Sequence, residues 1–86
     1  MKDVPAITGF QLIRLLALDG WQQGFKGTHG QALYKYLPDH GRTVRTVVPR
    51  TRSRLPSGTL GAILSVKQSG LGRGGLVALI QKYGLK

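Results

Sequence analysis

The stretch that most restricts the fold is Gln31 to Leu37, a period-two run bracketed by two short glycine-bearing links, Gly27-Thr28-His29-Gly30 and Pro38-Asp39-His40-Gly41. Alternation of this kind is the mark of a half-buried strand, with Ala32, Tyr34 and Tyr36 on one face and Leu33, Lys35 and Leu37 on the other. A link as short as Gly27-Thr28-His29-Gly30 suggests a hairpin, because glycine tolerates the positive φ that a tight turn requires. Trp21 to Lys26 therefore reads as the preceding strand, and Arg42 to Val48 as the following one, stopped by Pro49. Trp21, Phe25 and Tyr34 are expected in the core, because a domain this small needs its large residues there; Tyr36 is left open between core and surface.

Helices flank this meander. Thr8 followed three residues later by Gln11 has capping-box spacing, and Leu12, Ile13, Leu15 and Leu16 supply an apolar face that Asp19-Gly20 terminates. Thr59 is placed to cap a second helix with Leu60, Ile63 and Leu64 inward, and Gly70 to close it. Gly72 to Gly75 reads as loose, with a short third helix over Leu76 to Tyr83. The 86 residues then make one α+β domain, its core about 8–71 and its C-terminal helix about 75–84. Its order is α-β-β-β-α, a three-stranded antiparallel sheet with helices on one face, which leaves the other face and the turns for a partner.

Charge narrows the partner. Thirteen Lys and Arg face three acids, Asp3, Asp19 and Asp39, so ten cations remain even if every acid is paired. A net charge of +10 on a body this small points to a polyanion, of which nucleic acid is the commonest. Arg42, Arg45, Arg50, Arg52 and Arg54 gather on the third strand and its exit and are the candidate phosphate contacts; in an extended backbone Arg50, Arg52 and Arg54 would project to one side. The absence of cysteine removes disulfides and thiolate metal sites together. No apolar run approaches the ~20 residues that cross a bilayer. The N-terminus also lacks the layout of a secretion signal, which leaves a cytoplasmic protein as the expectation.

The candidate for chemistry is His29. An imidazole with an unperturbed pKa near ~6.5 both takes and gives protons at neutral pH, and few other groups here do. Three scattered aspartates without a glutamate argue against a metal nuclease, which collects several carboxylates or histidines around its ions. Without a metal-activated water, the accessible nucleophile is the substrate's own ribose 2′-hydroxyl. Such an enzyme cuts RNA and spares DNA, needs no cofactor, and uses His29 as general base or acid. Lys26 stands three residues away to stabilise transition-state charge, and the backbone around Gly27, Thr28 and Gly30 suits close approach of a phosphate. His40, beside Asp39, reads as an ordinary turn residue.

Several segments in order resemble the HicA toxins of toxin-antitoxin pairs. They are Leu12-Ile13-Arg14-Leu15-Leu16, Asp19-Gly20-Trp21, Lys26-Gly27-Thr28-His29, Thr46-Val47-Val48-Pro49, and Ser57-Gly58-Thr59-Leu60 followed by Ile63-Leu64. None is specific alone, but their order and spacing together are. The resemblance implies a double-stranded-RNA-binding-like fold, ribonuclease action on messenger RNA with the catalytic histidine at His29, and neutralisation by a HicB-type antitoxin. That antitoxin is expected to be acidic where it covers the RNA face, and the free toxin to be a monomer. Two other readings compete: a non-catalytic RNA-binding module of the same fold, and a basic structural or phage-derived DNA-binding protein.

Overall fold

The computed structural model describes residues 6–28, 30–38, 41–66 and 68–85, so His29, Asp39 and His40 lie outside the described residues. The elements run α1 (Gly9–Leu18), β1 (Gln22–Gly27), β2 (Gly30–Leu37), β3 (Arg42–Val48), α2 (Ser57–Leu64) and α3 (Gly72–Tyr83). The strands form one antiparallel sheet in the order β1-β2-β3, the expected α+β meander. Among the described residues, no helix is long and apolar enough to cross a membrane.

α1 begins as its sequence dictates. Thr8 N donates to Gln11 Oε1 at 2.9 Å and Gln11 N to Thr8 Oγ1 at 3.1 Å, so a reciprocal capping box satisfies two otherwise orphaned donors. Thr8→Ala should therefore cost about 1 kcal/mol, read as a lower urea midpoint at unchanged slope. At the other end Gly20 turns out of the helix at φ +93°, and Lys35 Nζ of β2 reaches both the carbonyl and the carboxylate of Asp19 at 3.0 Å.

The helices cover one face of the sheet. Pairing of Leu33 with Thr46 and of Gln31 with Val48 puts Leu33, Thr46 and Val48 on that side. There Leu33, Val44 and Val48 pack with Leu12, Leu15 and Leu16 of α1, with Leu60, Ile63 and Leu64 of α2, and with Leu76 and Leu79 of α3. Leu33 has no exposed surface, so Leu33→Ala removes buried methyls and leaves a cavity, for a loss of about 2–5 kcal/mol by denaturation.

Two helices depart from the sequence reading. α2 starts at Ser57 rather than after Thr59, because buried Leu55 holds the preceding chain on the core and the Pro56 carbonyl already accepts Leu60 N at 2.9 Å. It ends at Leu64, not at Gly70: Ser69 Oγ and N both donate to the Ile63 carbonyl, at 2.6 and 3.0 Å, and Gly70 closes the turn that follows. α3 begins at Gly72 and includes the glycines read as loose. Docking of Leu76 and Leu79 outweighs their weak helix propensity.

Candidate nucleic-acid interface

Three pieces of chain meet at one end of the sheet. Gly27 pairs directly with Gly30, and the chain between them is Thr28 and His29. Val48 pairs with Gln31, so β3 leaves the sheet beside this hairpin, and the start of α1 packs on its exit. Two glycines allow that meeting. A Cβ on Gly9 would run into the Pro49 carbonyl oxygen, and one on Gly30 into the Val48 carbonyl. Gly30 also sits at φ +140°, where L side chains are strained. The Val48-Pro49 backbone is thus clamped between the first turn of α1 and the first residue of β2.

This end is basic. Lys26 and Thr28 are exposed on the hairpin, and Arg50, Arg52 and Arg54 are exposed on the β3 exit. Arg50 stands over the Phe10 ring at 5.7 Å, and Arg54 makes an isolated bridge to Thr8, so two of the three are held against the start of α1. The exit does not stay extended. It bends at Arg52 and Ser53, where Ser53 N bonds Thr51 Oγ1 at 3.0 Å, so the regular projection of Arg50, Arg52 and Arg54 to one side is lost. The catalytic candidate His29 is outside the described residues; its neighbours Thr28 and Gly30 fix where the chain enters and leaves it.

The strand arginines do not form one cluster. Arg42 pairs with Leu37 at the end of the sheet away from the hairpin, and by alternation it shares the helix side with Val44 and Thr46. Arg45 pairs with Tyr34 and belongs to the opposite, uncovered face with Thr43 and Val47. Its guanidinium lies 5.9 Å from the Tyr34 ring centre. Lys26 pairs with Gln31 and so shares the helix-side parity, exposed because α1 packs on β2 and β3.

Phe25 is not in the core. It is 80% exposed, whereas Trp21 is buried as expected at 4%, and Tyr34 is half-buried on the uncovered face. The cause is a bulge: Gln23 pairs with Leu33 but Lys26 with Gln31, so Gly24 and Phe25 together oppose Ala32. One extra residue inverts the alternation, and Phe25 comes out on the uncovered face instead of beneath the helices. The buried Gln31 side chain stabilises this arrangement, its Nε2 donating to the Gly24 carbonyl at 2.8 Å. Gly24 in turn makes room for Tyr34, whose ring occupies the place a Cβ would take. A lone glycine inside a strand pattern is a recognised bulge signal, and Gly24 is the residue that could have revealed it from sequence. Gln31→Leu should cost about 1–3 kcal/mol by urea unfolding, because it leaves a backbone carbonyl without its partner.

The uncovered face carries a cleft of about 180 Å³ lined by Phe25, Thr28, Gly30, Ala32, Arg45 and Val47, immediately beside the hairpin link. A second hollow of about 340 Å³ lies further along the face between Gln22, Tyr34, Tyr36 and Thr43. A broader groove of about 680 Å³ follows the outer edge of β3 from Arg42 to Val47, with Val66 and Gln68 as its other wall. No family model, curated protein or solved structure matches this chain.

Proposed function

We propose that this protein is a metal-independent endoribonuclease that cleaves messenger RNA and serves as the toxin of a HicA-HicB type pair. The observation that carries the reading is the convergence at one end of the sheet. There the link containing His29 adjoins exposed Lys26, the Val48-Pro49 clamp and the basic exit with Arg50, Arg52 and Arg54.

The chemistry follows from what these groups supply. The ribose 2′-oxygen attacks the adjacent phosphorus and the bond to the 5′-oxygen breaks, leaving a 2′,3′-cyclic phosphate and a 5′-hydroxyl. His29 takes the 2′-OH proton or protonates the departing 5′-oxygen. Lys26 offsets the charge that builds on the non-bridging oxygens, and the arginines of the β3 exit hold flanking phosphates. Carboxylates for a metal route are scarce: of the three aspartates, Asp19 is committed to Lys35 at 3.0 Å. The same +10 charge suits an acidic antitoxin laid over the RNA-binding side, with an encounter rate that falls as salt rises.

The test is incubation of the chain with labelled RNA, and with DNA of identical sequence, in excess chelator. RNA cut to cyclic-phosphate ends with DNA intact is the expected result. Equal cutting of both polymers would refute it, and tight RNA binding without cleavage would leave the non-catalytic module of the same fold.

A further inference from the structure

We infer that the uncovered face of the sheet is a binding platform for single-stranded RNA, with unpaired bases stacking on Phe25 and Tyr36 and Arg45 between them. The inference rests on the ribonuclease reading only for the identity of the polymer.

Folding gives no reason for two large rings to stand in water, yet Phe25 is 80% exposed and Tyr36 59% exposed, both on this face. The bulge is what turns Phe25 outward, and the Gln31 side chain anchors that bulge from the core side. Between the rings, Arg45 stands over Tyr34 at 5.9 Å and lines the cleft with Phe25. Small residues, Gly27, Gly30 and Ala32, also line this cleft, which leaves room for a flat ring against Phe25. Thr28 and Arg45 at its rim offer hydrogen bonds to base edges or a phosphate. The hollow with Gln22, Tyr36 and Thr43 continues the track toward the other end of the sheet.

The occupant follows from charge and shape. The face combines aromatic rings with arginine, glutamine and threonine on a chain of net charge +10, a composition matched to a polyanion that also presents flat rings. Single strands offer free base faces, whereas in a duplex the faces are stacked on one another and an A-form helix exposes mainly sugars and phosphates. Adjacency to Thr28 and Gly30 places the Phe25 cleft next to the His29 link, so a base held there sets which phosphodiester lies beside His29.

The experiment uses the full chain carrying His29→Ala, so that RNA is not consumed, and measures binding of a labelled RNA single strand and of its perfect duplex by fluorescence anisotropy. The single strand should bind more tightly. Adding Phe25→Ala or Tyr36→Ala should weaken it by roughly 5- to 150-fold per ring, with the salt dependence unchanged because no phosphate contact is lost. Adding Arg45→Ala should instead lower the log-log salt slope by about 0.7. Both rings are exposed, so thermal melting should show these variants as stable as their parent. Duplex bound as tightly as single strand, or affinity indifferent to both ring substitutions, overturns the platform; the second result is also what a face reserved for a protein partner would give. Ring-dependent binding, with the parent protein that retains His29 failing to cut RNA, sustains the platform and removes the ribonuclease reading, whereas cleavage by that parent with ring-independent binding does the reverse.

Discussion

Gly30→Ala should lose about 3–5 kcal/mol of stability, a large part of the roughly 5–10 kcal/mol that holds a domain of this size together. Two costs add at this position. The backbone is at φ +140°, which a side chain makes strained, and the new Cβ would meet the Val48 carbonyl, with Pro49 Cα only 3.0 Å away. Neither obstacle is the flexible end of a side chain, so relief requires the β3 exit to move away from β2, and with it the contact that α1 makes on Pro49 through Gly9. Gly27 is the matched control, since a Cβ there meets only Phe25 ring carbons at 3.8 and 3.9 Å. Gly27→Ala is expected to stay within about 1 kcal/mol of the parent. Urea unfolding followed by circular dichroism reads both, and a Gly30→Ala protein as stable as Gly27→Ala would show that the clamp contributes nothing.

His29→Ala is expected to slow RNA cleavage by about 10²- to 10⁴-fold while leaving RNA affinity nearly intact. In the proposed mechanism proton transfer is made only in the transition state, whereas affinity would come from Lys26, the β3-exit arginines and the uncovered face. Loss of kcat with KM preserved is the signature of such a group. Single-turnover cleavage at saturating protein, with anisotropy for binding, separates the two. A parallel fall in affinity and rate would make His29 a phosphate contact, and an unchanged rate would remove it from the chemistry. Under the same proposal Lys26→Ala should reduce both, since the ammonium would attract the phosphate before the transition state as well as in it.

Much of the architecture was readable from neighbouring residues. The Thr8 and Gln11 capping box, the stop at Asp19-Gly20, the strand that became β2 and the stop at Pro49 each depend on side chains within a few positions, and each is found where those side chains put it. The helix ends at Ser57, Leu64 and Gly72 were less legible because they answer to Leu55, Ser69, Leu76 and Leu79, whose influence runs through the core. At the site, Lys26, Thr28 and the arginines of the β3 exit are exposed. The single arginine cluster does not survive, because alternation on β3 separates Arg42 from Arg45 by face.

The chain by itself determined the order of elements, the meander, the helix-covered face and the excess of cations, because period, capping and charge are written within a few residues of one another. Only the tertiary structure decided that Phe25 faces outward and that the hairpin, the start of α1 and the β3 exit converge. The first depends on a bulge whose carbonyl at Gly24 is satisfied by Gln31 of the next strand. The second depends on two Cβ atoms being absent where distant backbones touch. Strand register and steric approach are relations between segments remote in sequence, and no local pattern contains them.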